Sequence, residues 1–199
     1  MKKALLSTII LLSFIVLVGC KKKEFLLTSD DVSANTLLMK RDGSLLVATI
    51  EDFSKEYYNL SELNDFVTGE INAYNKKVGS DEISIEELEI KNGKAIMILR
   101  YSKMEHYSEF NKVPAAYYGT DLKEVDLELP SQYIKAGKDK VVDMETAMKN
   151  SKNKVLVVYE PYDIIVEGDV KFYSDNATLI EDNKVQSIGE EATVVIFRP

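Results

Sequence analysis

Residues 154–199, KVLVVYEPYDIIVEGDVKFYSDNATLIEDNKVQSIGEEATVVIFRP, decide the fold class. Six short apolar runs recur there: Val155–Tyr159, Ile164–Val166, Val170–Tyr173, Thr178–Ile180, Val185–Ile188 and Thr193–Phe197. Pro161, Gly168-Asp169, Asp175-Asn176, Asp182-Asn183 and Gly189 separate them. Short β-branched and aromatic runs punctuated by turn residues predict strands, and this spacing predicts a meander or a small barrel. Upstream, Ile83–Lys91 and Lys94–Tyr101 flank Asn92-Gly93, the dipeptide that best fits the positive φ angles of a two-residue hairpin turn. Thr36–Lys40 and Ser44–Ile50 flank Arg41-Asp42-Gly43 in the same manner. Ala95–Leu99 is apolar without alternation, which predicts a strand buried on both faces.

Helical signals lie between these hairpins. Leu63, Phe66, Val67, Ile71, Tyr74 and Val78 fall at helical spacing. Asn59 is the expected N-cap with Glu62 three residues on, Tyr58 and Leu63 the expected staple, and Gly79 the stop. Ser102-Lys103-Met104-Glu105 reads as a capping box opening a short helix to about Asn111. Val125, Leu127 and Leu129 alternate like a strand ending at Pro130, and Lys140–Asn150 reads as a short helix. The expected class is α+β: antiparallel hairpins packed with one long and one or two short helices, and a β-rich C-terminal third. The expected organisation is a signal peptide over 1–19, a tether over 20–35 and one body over 36–199. That body divides, if at all, into 36–150 and a β-rich subdomain over 151–199.

The N-terminus carries the most specific signal. Lys2 and Lys3 precede an uncharged run from Ala4 to Val18, and Gly19-Cys20 and Lys21–Lys23 follow. This is a basic n-region, an apolar h-region and a small residue at the cut. As a helix, the 16 residues from Ala4 to Gly19 span roughly 24 Å, short of the ~30 Å of a bilayer core. The lysines on the two sides roughly balance, so the positive-inside bias is weak. Leu17-Val18-Gly19-Cys20 resembles the lipobox of bacterial lipoproteins. The resemblance implies cleavage between Gly19 and Cys20, a diacylglyceryl group on the Cys20 thiol, and a body held at the cell membrane on its extracytoplasmic side. Residues 154–185 resemble in pattern the ending of small, uncharacterised lipoproteins of Gram-positive bacteria, which implies the compartment and no activity. Two acyl chains anchor stably where one binds marginally, and Lys21–Lys23 fall at the level of the headgroups.

Composition narrows the function. The chain has 199 residues, 45% hydrophobic and 29% charged, with net charge −8. Loss of residues 1–19 removes Lys2 and Lys3 and leaves 23 basic against 33 acidic residues. An acidic body lacks the basic footprint that nucleic acid requires. One Cys and one His exclude an internal disulfide and multi-ligand Cys or His metal sites. No cofactor or metal is therefore expected, and no phosphate loop, dinucleotide fingerprint or calcium-loop pattern occurs.

Candidate chemistry is sparse. His106 has Glu109 at i+3, a pair that shares a helix face, with Met104 and Tyr107 on the other face leaving the imidazole exposed. Glu86-Glu87 and Glu190-Glu191 are adjacent carboxylates that a strand points to opposite faces, so they read as solvated charge. The 11 tyrosines include the doublets Tyr57-Tyr58 and Tyr117-Tyr118, and Tyr159 and Tyr162 around Glu160-Pro161. Strand and core filling accounts for them better than a recognition patch. The expected function is a lipid-anchored, non-enzymatic binding or interaction module of unknown ligand, with a protein or cell-envelope partner whose identity the sequence does not give. The alternatives are the substrate receptor of a transporter and a carboxylate-dependent cell-wall hydrolase.

Overall fold

Thr36–Met39 forms strand β1, four residues that are all buried. One partner is β2 (Leu45–Asp52), antiparallel across the Arg41-Asp42-Gly43 turn. Its other partner lies 127 positions away: β9 (Asp163–Val166) runs parallel to it, with Thr36 opposite Asp163. A computed structural model of the chain describes residues 25–120, 127–189 and 191–199. The remaining strands are β3 (Ile83–Lys91), β4 (Lys94–Tyr101), β5 (Ala115–Gly119), β6 (Gln132–Lys135), β7 (Lys140–Asp143), β8 (Lys154–Val158), β10 (Asp169–Ser174), β11 (Ala177–Glu181), β12 (Lys184–Ser187) and β13 (Thr193–Arg198). The helices are α1 (Leu60–Val78), α2 (Met104–Asn111) and α3 (Met144–Met148). The strands form a seven-stranded sheet, β11-β12-β9-β1-β2-β4-β3, and a six-stranded sheet, β5-β8-β13-β10-β6-β7.

The sheets pack face to face. Leu37, Met39, Leu45 and Ile164 of the first meet Leu156, Val158, Val195 and Phe197 of the second in one apolar cluster. Period-2 alternation sends the intervening residues outward, and part of each outer face is covered as well. Val155, Val157, Val194 and Ile196 on the second sheet lie in a cluster with Ala147 of α3. Leu38, Leu46, Ala48 and Ile98 on the first sheet lie against Leu27. Burial on both sides explains why β1, β4 and β8 read as nearly unbroken apolar runs.

The mixed α+β class is as expected, and so are the six C-terminal strands. Their arrangement differs from a meander or barrel. The chain crosses between layers, placing β8, β10 and β13 in the second sheet and β9, β11 and β12 in the first, and the described residues close no barrel. Gly168 lies in the turn between β9 and β10, against the last residues of the chain; a Cβ there would lie 2.1 Å from the Arg198 carbonyl oxygen. Phe25–Asn35, within the stretch expected as a tether, is a strap laid on the outer face of the first sheet.

The cap and the stop of α1 are as expected. Asn59 Oδ1 accepts from Ser61 N (2.9 Å) and Glu62 N (3.4 Å), and Gly79 takes the left-handed φ of +83°. Val67, Ile71 and Tyr74 enter the core, but Phe66 is 66% exposed. Tyr58 stacks on Phe53 with ring centroids 4.9 Å apart. Asn92 and Gly93 take φ of +53° and +74° in the β3–β4 hairpin. At α2 the helix is present without its box: Lys103 is the N-cap and makes no side-chain cap. The Ser102 hydroxyl donates instead to Glu82. Residues 140–150 divide into β7 and α3, because Asp143 Oδ1 caps Thr146 N (2.8 Å) and starts the helix only there. Val125 lies outside the described residues, and Leu127 and Leu129 are in irregular structure.

One side chain ties α1 to the first sheet. Asn75 Oδ1 accepts from Glu82 N and Ile83 N (both 3.1 Å), and its Nδ2 donates to Ile83 O (2.9 Å). Asn75→Ala strands these backbone groups, two of them buried, at about 1–3 kcal/mol per orphaned group. The expected cost is about 2–4 kcal/mol in urea unfolding with an unchanged m-value. A loss below about 0.5 kcal/mol contradicts this role for Asn75.

Candidate functional site

The second sheet does not cover the whole inner face of the first. Toward β2, β4 and β3 the cover is α1 and α2, and a groove of about 530 Å³ opens between these helices and the strands. Its floor is Val47, Thr49, Met97, Leu99 and Tyr101. Phe66, Val67, Ala73 and Tyr74 of α1 form one wall and Phe110 of α2 the other. Glu70, Lys77, Glu109 and Lys112 make a polar rim. A mostly apolar concavity of this volume with a few polar groups is the usual form of a small-molecule site. Phe66 stands at the mouth, where an aromatic ring in water gains by being covered.

A polar relay runs along one wall. Tyr74 Oη donates to Glu109 Oε2 (2.9 Å), and Glu109 Oε1 accepts from Lys77 Nζ (2.9 Å). His106 Nδ1 is 3.0 Å from the same Tyr74 hydroxyl, and its Nε2 is 3.3 Å from Glu82 Oε2. Glu82 also accepts from the hydroxyls of Ser80 (2.6 Å) and Ser102. With the single Tyr74 proton given to Glu109, the Tyr74 oxygen is left to accept from His106 Nδ1.

Electrostatics follow from these contacts. Hydrogen bonds from Ser102 and Ser80 hold the Glu82 carboxyl below the usual carboxylate range. The Lys77 ammonium and the Tyr74 hydroxyl do the same for Glu109. Burial, reinforced by the hydrogen bond to Glu109, pushes the Tyr74 phenol up to about 12, so it stays a protonated donor. Burial likewise raises Tyr101 and Tyr107; Tyr107 shares a 3.0 Å hydroxyl contact with Tyr162.

His106 and Glu109 thus share a helix face as expected, but Tyr74 bridges them and the imidazole is only 19% exposed, because α1 packs over it. Glu86 pairs with Arg100, while Glu87 accepts from Ser29 N (3.0 Å) and Oγ (2.8 Å). Glu190 lies outside the described residues, as do Gly19 and Cys20. Among the described residues no group of three His, Cys, Asp or Glu is placed to hold a metal, and no helix is long and apolar enough to cross a membrane. Tyr74, Tyr101, Tyr107 and Tyr133 fill core. Tyr117 stacks near Phe197 on the inner face, while Tyr118 is buried on the outer one. Tyr57 and Tyr58 form no strand pair: both are exposed in the loop before α1. The groove itself was not foreseen; the only sequence signal is Phe66 beside Val67 on one apolar stripe, which cannot tell a mouth from a core.

No protein-family model matches this chain, and neither a curated protein nor a solved structure matches it.

The relay carries a pH dependence. With folded pKa values below the ordinary 4.5 of glutamate, Glu82 and Glu109 add stability above that pH. The contribution fades as pH falls through the lower folded values. Glu82→Gln is expected to make the fall in melting temperature from pH ~5 to ~3 less steep than in the parent protein. A parallel acid limb in both contradicts the assignment.

Proposed function

We propose that this protein is a lipid-anchored, extracytoplasmic binding protein that holds a small, largely apolar molecule in the groove between α1, α2 and the first sheet. The observation that carries the reading is the groove, about 530 Å³ of mostly apolar lining with Phe66 exposed at its mouth. Tyr74, Lys77 and Glu109 at the rim supply hydrogen bonds for one polar end of the occupant. The address comes from the likeness of Leu17–Cys20 to a lipobox.

Non-enzymatic binding is favoured over a carboxylate hydrolase because Glu82 and Glu109 are both held ionised, where a general acid needs a raised pKa. A hinged receptor is disfavoured because the groove's floor and walls belong to one continuous apolar cluster rather than two lobes.

The test has two arms. Cys20→Ala is expected to leave the membrane fraction and accumulate as unprocessed precursor; retention at the parent level overturns the address. The processed protein is expected to bind 1-anilinonaphthalene-8-sulfonate at one site, and Phe66→Ala, which removes a mostly exposed ring, to weaken that binding about tenfold, or ~1.4 kcal/mol. Equal binding by the two proteins overturns the groove as the site.

A further inference from the structure

We infer that the anchored protein sits with the outer face of its first sheet toward the lipid headgroups and its groove turned away from them. This rests on the lipidation of Cys20 proposed above.

The argument is one of reach. Phe25 packs beside Leu27 on the outer face of the first sheet, and Leu27 is 6% exposed among Leu38, Leu46, Ala48 and Ile98. The strap is also pinned by polar contacts. Ser29 gives two hydrogen bonds to Glu87 and Asp30 pairs with Lys91, both on β3, while Asp31 accepts from the amide and the hydroxyl of Thr28 within the strap. Chain therefore cannot be paid out from the strap without breaking buried apolar contact and these bonds.

Five residue steps separate Cys20 from Phe25, a reach of at most about 18 Å. A body of roughly 170 residues is about 40 Å across. The tether is thus shorter than the body's radius of about 20 Å, and the point where it joins must lie on the hemisphere nearest the bilayer. Two acyl chains keep Cys20 at the interface, and Lys21–Lys23 fall within the same short reach, where anionic headgroups attract them.

Two features of the surface agree with this seating. Leu26, between Phe25 and Leu27, is 60% exposed, so a large aliphatic side chain faces outward at the point nearest the lipid. The groove's floor, Val47 and Leu99 among it, belongs to the opposite, inner face of the same sheet. The occupant of the groove therefore arrives from the aqueous, envelope side and not out of the acyl region.

The chain has no Trp, so a single introduced indole is a clean reporter. The intact lipidated protein carrying either Leu26→Trp or Phe66→Trp is placed in phosphatidylglycerol vesicles with brominated acyl chains. Both positions are largely exposed, so neither substitution threatens the core. The L26W reporter is expected to lose most of its emission to the brominated lipid, and the F66W reporter to keep its emission and remain open to acrylamide. An unquenched L26W reporter on protein that sediments with the vesicles overturns the seating, as does a quenched F66W reporter. An L26W reporter shielded from both lipid and acrylamide also overturns it, because a second copy then covers the strap. Mass spectrometry of the same sample separates the premises: an unmodified Cys20 thiol defeats the anchor itself, and the seating with it.

Discussion

The parallel pairing of β1 with β9 is the contact on which the rest of the architecture depends. Four residues near the start of the body, Thr36–Met39, are matched in register with Asp163–Val166 near its end. Leu37 and Met39 project into the space between the sheets while Leu38 projects to the far side, and all three are at most 1% exposed. Parallel strands need a long crossover, here almost the whole intervening chain. The pairing costs much loop entropy, and burial of both faces of β1 offsets it. With β1 in place, the β2–β4–β3 hairpins extend the sheet on one side and β9, β12 and β11 on the other.

A seven-stranded sheet facing a six-stranded one leaves inner surface to be covered by something else. The helices α1 and α2 take that part, fixed by Asn75 to Ile83 and by the Tyr74–His106–Glu82 contacts. Helices cannot match the flat fit of a second sheet at its border, and the groove lies along that seam, with sheet residues for a floor and side chains of both helices for walls. The same architecture separates the two surfaces on which the proposed function rests. The strap occupies one face of the first sheet and the groove the other.

What the sequence made legible was local. Asn92-Gly93, the Asn59 cap, the Gly79 stop and the turn residues of the C-terminal third each act within a few positions, so the elements they bound were readable. Sheet membership was not. An apolar run such as Val155–Val158 announces burial on both faces without naming its neighbours, and a barrel, a meander and two interleaved sheets share that signature. Ser102 shows another limit: its hydroxyl had a helix terminus in sequence range, and a carboxylate 20 positions away took it. The candidate site was least legible of all. His106 and Glu109 were visible as a pair, but Tyr74, which joins them, reaches them only through the packing of α1 on α2.

Native-state hydrogen exchange of the protein tests this account most directly. If β1 joins the two ends of the chain into one sheet, the amides of Thr36–Met39 and Asp163–Val166 exchange only through global unfolding, with the same free energy and the same denaturant dependence. Release of β8 to β13 as a separate, less stable unit, while β1 to β4 stay protected, contradicts it.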